Sequence, residues 1–211
     1  MAPRSVVVVF GGLGMSRRAL QRYADVYEPR QAIVVPLTLT CLAAGGRYTG
    51  YRALHEALAA QAGGAPLHVH GLSASCHLIY RLTALYPEYR SRVVSQVYDS
   101  PCSVAGLASW LRAVHGVPPA LGRALARTVF PDCIETSARW TEASVFARDI
   151  PTGIITSTRD AISPAGDIEE MVRNWDCTRA SRLVTDSEHL RSLRDAPETY
   201  AGFCRAVADA A

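Results

Sequence analysis

The sequence predicts an α/β protein built as a three-layer αβα sandwich around a mostly parallel sheet of six strands. Short apolar, β-branched runs alternate with segments of helical period, which is the pattern of βαβ units that feed a parallel sheet. The chain has 211 residues, of which 49% are hydrophobic and 19% charged, a composition typical of a globular chain. We therefore expect one domain over residues 1–211.

The predicted strands are short runs of apolar or β-branched residues. In chain order they cover residues 5–10, 32–39, 66–70, 92–99, 153–157 and 181–185. Helical patterns lie between them at residues 16–27, 51–61, 74–86, 163–175 and 196–210. Two of these helices have recognisable starts. Ser163 offers a capping hydroxyl directly before a proline at the first helical position, and Pro197 stands at the first helical position of the last helix.

Residues 101–150 interrupt this alternation. Three helical patterns, 103–116, 118–129 and 136–149, follow one another with no strand between them. Loops at the carboxyl ends of parallel strands frame the ligand crevice of such sheets. A helical insertion after the fourth strand is therefore placed to cover that crevice as a lid, and simple packing on one face of the sheet is the alternative.

Composition and charge exclude several classes of function. A net charge of +3, with 22 scattered arginines and no lysine, does not form the basic stripe of a nucleic-acid-binding protein. Six cysteines stand singly, without the paired spacing of zinc sites or a disulfide framework.

The amino-terminal apolar run has five residues and no cleavage-type sequence, and no stretch reaches the roughly 20 apolar residues of a membrane span. We expect a cytoplasmic protein without a cofactor, and a homodimer is left open.

The segment HVHGLSASCHLIYRL, residues 68–82, places a serine between a strand and a helix. A G-x-S-x-G elbow needs this context, since its serine sits on a strained turn with the hydroxyl exposed at the edge of the sheet. Gly71 and Ala74 are small, as the turn requires, but Ser75 stands where the last glycine belongs. The predicted nucleophile is Ser73, and a small-residue turn that arose by chance is the alternative.

A serine nucleophile needs a base, and the base needs an acid that fixes its tautomer. In enzymes with this elbow the partners follow in the order serine, acid, histidine. Asp160 and His189 follow the last two predicted strands, at the same sheet edge as Ser73. Either alone could be an ordinary loop residue, but their order and placement together favour a triad. Asp99, at the end of the fourth strand, is the reserve acid.

Acyl transfer also needs two backbone N–H groups directed at the developing oxyanion. Ala74, directly after the serine, is one expected donor. Gly12, in the glycine-rich turn after the first strand, is the other, and Leu13 is the second choice. A phosphate-binding role for this turn is disfavoured because GGLG lacks the G-x-G-x-x-G spacing and the chain has no lysine.

Three further groups of residues have a structural interpretation beside the functional one. His68 and His70 share one face of a strand, but no third metal ligand is evident, so no metal site is predicted. Cys76 is expected to be a buried apolar side chain. Trp110, Trp140 and Phe146 either line a pocket over Ser73 or form the insertion's own core.

The whole pattern resembles the α/β-hydrolase superfamily, and within it the PaxU-like family. The segments that carry the resemblance are VVVVFGGLGMSRRALQRYADVY, HVHGLSASCHLIYRL, VYDSP and SEHLRSLRDAPETYAGFC. The resemblance implies a minimal α/β-hydrolase core with Ser73, Asp160 and His189 as the triad. Phe10 departs from it, because it stands where many hydrolases have a histidine before the oxyanion glycine.

These observations lead to one preferred functional hypothesis. It is a serine esterase or thioesterase that acts on a small, mostly apolar acyl substrate. The first alternative is a non-hydrolytic biosynthetic enzyme of the same fold, namely a cyclase, isomerase or acyltransferase, in which Ser73 only donates a hydrogen bond. The second alternative is a catalytically silent binding protein.

Overall fold

Six strands form one sheet in which every neighbouring pair is parallel. The computed structural model describes residues 5–37, 49–102, 104–129, 150–173 and 178–211. The strands are β1 (Val6–Leu13), β2 (Gln31–Leu37), β3 (Leu67–Leu72), β4 (Val93–Asp99), β5 (Thr152–Ser157) and β6 (Ala180–Thr185). Their spatial order is β2-β1-β3-β4-β5-β6, so the strand that precedes Ser73 lies near the centre and β6 lies at one edge.

The six predicted strands are confirmed, and two of them, β1 and β3, extend further at their carboxyl ends than the sequence pattern suggested. β1 continues through two glycines to Leu13, with a register shift against β2 after Phe10. β3 continues through Gly71 to Leu72, whose register partner on β4 is Asp99. The last two residues predicted for the second strand, 38–39, lie outside the described residues.

The helices connect these strands in the predicted places. They are α1 (Arg17–Asp25), α2 (Thr49–Ala62), α3 (Ser75–Leu85), α4 (Glu88–Arg92), α5 (Val104–His115), α6 (Pro119–Val129), α7 (Ala165–Arg173), α8 (Ser192–Asp195) and α9 (Pro197–Asp209). α1 begins where the Ser16 hydroxyl accepts a hydrogen bond from Ala19 N–H. The sequence did not predict α4 and α8, because each is too short to show a helical period.

Two apolar layers cover the two faces of the sheet, because successive side chains of a strand point to opposite faces. On β1, Val6, Val8 and Phe10 pack in one cluster, whose helical members come from α2, α3, α4, α5 and α7. Val7 and Val9 pack in the other, with members from α1 and α9. The result is the predicted three-layer αβα sandwich.

Two helices, α5 and α6, follow β4 where helical patterns were predicted at 103–116 and 118–129. The third pattern, 136–149, lies outside the described residues, and Trp140 and Phe146 lie there with it. None of the helices in the described part of the chain is long and apolar enough to span a membrane.

Candidate active site

Ser73 lies on a tight turn between β3 and α3. Its backbone has φ of +54°, a left-handed conformation that non-glycine residues rarely adopt. Its N–H donates to the carbonyl of Asp99 at 2.9 Å, which fixes the turn to the end of the neighbouring strand. A Cβ atom at Gly71 would lie 2.8 Å from Ile79 Cδ1 and 3.1 Å from Tyr98 Cδ1, so the turn has no room for a larger residue there.

Ser75, in the place of the last elbow glycine, fits the turn at a cost. Its side chain is fully buried, and its hydroxyl has no hydrogen-bond partner among the described residues. Burying an unpaired hydroxyl costs about 1–3 kcal/mol. The serine in place of the glycine therefore leaves the backbone of the elbow intact but lowers the free energy of unfolding.

His189 and Asp160 lie beside this serine. His189 Nε2 is 2.9 Å from Ser73 Oγ, and His189 Nδ1 is 2.7 Å from Asp160 Oδ2. The three side chains therefore form one continuous chain of hydrogen bonds, although Ser73 and His189 are 116 residues apart in the sequence.

Hydrogen bonds between two loops hold this arrangement. Asp160 lies in the loop after β5, and His189 lies in the loop after β6. The Ser157 hydroxyl donates to the Ser187 carbonyl and accepts from the Ser187 N–H. Thr158 N–H donates to the carbonyl of Thr185 at 3.0 Å. The acid and the base are thus carried by two loops that are tied to each other.

The surroundings of Asp160 keep it ionised. Burial alone would raise the pKa of this carboxyl group, but the hydrogen bond and charge of His189 and the backbone N–H groups of Ser163 and Ile162 lower it below its ordinary value. An ionised carboxylate only accepts hydrogen bonds. His189 Nδ1 therefore donates to Asp160, and Nε2 is left to accept a hydrogen bond from the Ser73 hydroxyl.

Three non-glycine residues have a left-handed backbone in the described part of the chain, and all three lie at this site. They are Ser73, Ser100 with φ of +49°, and Leu190 with φ of +55°. Ser100 follows Asp99, and Leu190 follows His189. Such conformations cost about 1–3 kcal/mol each and concentrate at functional sites.

Asp99, the reserve acid, has different partners from Asp160. Its Oδ2 accepts from the Tyr200 hydroxyl at 2.9 Å, and its Oδ1 accepts from the Ser100 hydroxyl at 3.0 Å. Asp99 is fully buried, and this burial raises its pKa to about 6, although the hydrogen bonds from Tyr200 and Ser100 act in the opposite direction. The carboxylate that contacts the histidine is therefore that of Asp160.

A buried aromatic cluster, consisting of Tyr23, Tyr27, His70 and Tyr200, lies next to Asp99. Tyr27 and Tyr200 hydroxyls lie 3.0 and 3.1 Å from the two ring nitrogens of His70. The Tyr23 hydroxyl donates to the carbonyl of Leu190 at 2.9 Å, directly after the catalytic candidate His189. Sequence reasoning missed this cluster, since a tyrosine inside a helical pattern is read first as core.

The predicted oxyanion donors, Ala74 and Gly12, both lie next to Ser73. No acceptor among the described residues takes the N–H of Ala74. The N–H of Gly12 contacts the Met15 thioether sulfur at 3.2 Å, a weak acceptor. A Cβ atom at Gly12 would lie 3.0 Å from Leu190 Cδ1 and 3.5 Å from Ser73 Cβ, so a side chain here would require Leu190 to shift by a few tenths of an ångström.

A small apolar cavity of about 120 Å³ opens over the serine. Ser73 and His189 supply its polar groups, and its other lining residues are Leu13, Ala74, Cys102, Leu107, Trp110, Val114, Ile162 and Leu190. Trp110 therefore lines the pocket, which was one of the two roles predicted for it. Leu13, the second choice for an oxyanion donor, also lies on the cavity wall.

Other places in the described residues lack this chemistry. A second cavity of about 330 Å³ lies at the amino ends of β5 and β6 and has neither histidine, cysteine nor a carboxylate in its lining. His68 Nδ1 is 2.7 Å from Ser95 Oγ, and no group of three metal-ligating side chains occurs in the described part of the chain. Cys76 is fully buried, as expected for an apolar role.

Comparison of the fold with solved structures identifies its architecture. The esterase Pf2001 of Pyrococcus furiosus superposes with a TM-score of 0.63 at 13% identity, over 98% of this chain and 81% of the esterase. CarC, a serine hydrolase involved in carbazole degradation, superposes with a TM-score of 0.60 at 13% identity, over 99% and 92%. MGS-MChE2, an α/β hydrolase from a lagoon-sediment metagenome, gives 0.61 at 16% identity, over 97% and 90%.

The chain has the α/β-hydrolase fold. The sequence itself matches no protein-family model. It also matches none of the curated proteins. The resemblance expected from the elbow and the histidine segment is therefore confirmed at the level of the fold.

Proposed function

We propose that the protein is a serine hydrolase that cleaves an ester or thioester of a small, mostly apolar acyl compound. The observation that carries this proposal is the chain of hydrogen bonds from Ser73 Oγ through His189 to Asp160, at 2.9 and 2.7 Å. The apolar cavity over the serine supports it, because the carbonyl carbon of a bound acyl group would lie next to the hydroxyl oxygen.

In the first step, Ser73 Oγ attacks the carbonyl carbon while its proton passes to His189 Nε2. The carbonyl electrons move to the oxygen, and the resulting oxyanion accepts hydrogen bonds from Ala74 N–H and Gly12 N–H, or from Leu13 N–H as the second choice. For Gly12 this means exchanging the Met15 sulfur for a stronger, charged acceptor.

In the second half of the reaction, the tetrahedral intermediate expels the alcohol or thiol, which takes the proton from His189. A water molecule then attacks the acyl-serine ester, with His189 as the base. The carboxylic acid leaves and Ser73 recovers its proton. Asp160 stays ionised throughout, orients the imidazole and stabilises its positive form.

The size of the cavity suggests the size of the acyl group. The cavity has a volume of about 120 Å³ and an apolar lining, which suits a small apolar acyl group. We expect kcat/KM in a series of p-nitrophenyl esters to be higher for short apolar acyl groups than for charged ones.

Labelling by a fluorophosphonate, followed by intact-mass measurement, tests the nucleophile. The wild-type chain should gain one adduct and lose its esterase activity, and the Ser73→Ala variant should gain none. Labelling that persists in Ser73→Ala contradicts the assignment. Activity that survives in Ser73→Ala and is lost in His189→Ala points instead to a non-hydrolytic enzyme, and the absence of both labelling and activity points to a binding protein.

The finer predictions about this chain belong to the same proposal. Membership of the PaxU-like family, a single domain with a helical insertion over about 101–150, and a cytoplasmic location all stay predictions. The choice of an esterase is supported by the site geometry described above, and the similar structures contribute the fold.

A further inference from the structure

An apolar wall runs out of the cavity along α5. Leu107, Trp110 and Val114 all line the cavity, and their spacing of three and four residues places them on one face of the helix. Leu107 is 5% exposed, Trp110 is half-buried, and Val114 is 55% exposed. The apolar surface of the cavity therefore continues, without a polar break on this face, to the outside of the protein.

The far end of this wall belongs to the hairpin tip, which we define as residues 112–123 at the junction of α5 and α6. Three large apolar side chains are exposed in the described part of the chain, and two of them, Val114 and Leu121, lie in this tip. Leu121 is 52% exposed. Pro118 and Pro119, between them in sequence, are exposed as well.

The charges of the hairpin tip are all positive. Residues 100–131 contain no aspartate or glutamate, and Arg112 and Arg123 are exposed with no carboxylate partner in the described part of the chain. Six arginines elsewhere, namely Arg30, Arg52, Arg159, Arg182, Arg191 and Arg194, lie within 4 Å of a carboxylate. Among the described residues, no carboxylate competes with an external anion for the arginines of the tip.

Exposed apolar side chains flanked by exposed arginines are suited to the boundary of a lipid layer, where the apolar groups enter the acyl region and the arginines meet anionic headgroups. We infer that the hairpin tip docks on an anionic lipid surface and that the substrate is an apolar ester dissolved in that layer. The substrate would pass along the α5 wall to Ser73 without crossing water. This inference about the substrate rests on the proposed hydrolase function, whereas the docking itself does not.

Flotation with vesicles of phosphatidylcholine, with and without 30% phosphatidylglycerol, tests the docking. The full-length Ser73→Ala variant is used so that no turnover alters the vesicles. It should float with the phosphatidylglycerol vesicles and be released by high salt. A contribution of about 1 kcal/mol per arginine corresponds to about a fivefold loss of partitioning for each of Arg112→Gln and Arg123→Gln.

Replacing the apolar groups provides a second, independent variant. Val114→Ser combined with Leu121→Ser should lower partitioning about tenfold, because these side chains no longer enter the acyl region. Matched controls are Val184→Ser, which removes a 62% exposed valine from the edge strand β6, and Arg173→Gln, which removes an exposed arginine at the end of α7. Both controls should bind as the parent does.

Three results would overturn the inference. The first is equal partitioning to the two vesicle compositions, and the second is an equal loss of partitioning in the tip and control variants. The third is a concentration-dependent dimer that dissociates in Val114→Ser/Leu121→Ser, which would assign the tip to a second copy of the chain. Hydrolysis is measured separately, on p-nitrophenyl butyrate without vesicles, in Arg112→Gln, Arg123→Gln and Leu121→Ser, whose residues do not line the cavity. A loss of docking with retained hydrolysis and a loss of hydrolysis with retained docking are therefore distinguishable.

Discussion

The two buried aspartates near His189 offer the sharpest test of the proposed chemistry, through Asp160→Asn. Asp160 Oδ1 accepts hydrogen bonds from the N–H groups of Ile162 and Ser163 at 2.9 and 2.8 Å. An asparagine must keep its carbonyl oxygen on that side, because its NH₂ group would oppose two donors. The NH₂ group therefore faces His189 Nδ1 and forces this nitrogen to accept. The proton then moves to Nε2, which can no longer take the proton of Ser73.

The magnitude follows from this reversed tautomer. The wrong tautomer in a Ser-His-Asp triad costs about 10⁴-fold in kcat, which corresponds to about 5 kcal/mol of transition-state stabilisation. Asp99→Asn leaves the tautomer unchanged and disturbs only the hydrogen bonds from Tyr200 and Ser100. We expect it to lower kcat by less than about tenfold.

The assay is the steady-state hydrolysis of p-nitrophenyl butyrate, with active sites counted by fluorophosphonate labelling after prolonged reaction. Circular dichroism and urea unfolding of both variants separate a catalytic loss from a folding defect. The reasoning is refuted if Asp160→Asn, correctly folded, retains more than a tenth of the wild-type kcat. Equal losses in the two variants would refute the assignment of Asp160 over Asp99.

Three further predictions concern the surroundings of the site. Tyr23→Phe removes the hydroxyl that holds the Leu190 carbonyl, so kcat should fall about tenfold at unchanged KM as the histidine loop loses its position; Tyr27→Phe, in the same buried cluster, should cost similar stability and retain kcat. Ser75→Ala removes a buried hydroxyl without a partner and should raise the free energy of unfolding by about 1 kcal/mol in a urea titration. The folded-state pKa of Asp99 is raised from 3.8 to about 6, so the folded protein holds this proton more tightly than the unfolded chain. Stability should therefore fall by roughly 3 kcal/mol from this group as the pH rises from about 4 to about 6 and then level off, and Asp99→Asn should flatten that slope in urea unfolding at several pH values.

Each of these three has an outcome that contradicts it. Equal kcat values for Tyr23→Phe and Tyr27→Phe would mean that the Leu190 contact does not position the histidine. A lower urea midpoint for Ser75→Ala would mean that the hydroxyl has a partner in solution. An unchanged pH slope in Asp99→Asn would show that this carboxyl group titrates at its ordinary pKa.

Much of the fold could be predicted from the sequence because its signals are local. Each strand is a compact apolar run, and the order of strands and helices requires parallel pairing. The limits of the pattern appear where glycine interrupts an apolar run. β1 and β3 continue through glycine to Leu13 and Leu72. Backbone hydrogen bonds to the neighbouring strands hold these residues in the sheet, and such bonds cannot be predicted from the local sequence.

The candidate site, like the fold, could be predicted from the sequence only in part. Ser73, Asp160 and His189 could be proposed because loops at the carboxyl ends of parallel strands meet at one edge. The choice between Asp160 and Asp99 needed coordinates, since both follow strands and only the path of the His189 loop decides which one it reaches. The Tyr23 contact with Leu190 and the Met15 contact with Gly12 join distant or irregular segments. No periodicity encodes such contacts.

The order of strands in the sheet has a consequence for the stability of the proposed triad. The serine follows a strand near the middle of the sheet, while the histidine follows β6, the outermost strand, whose residues are mostly exposed. Edge strands open more readily than central ones. Local opening of β6 would therefore move His189 away from Ser73 while the central strands stay paired. The stability of this edge strand thus limits how long the proposed triad stays assembled.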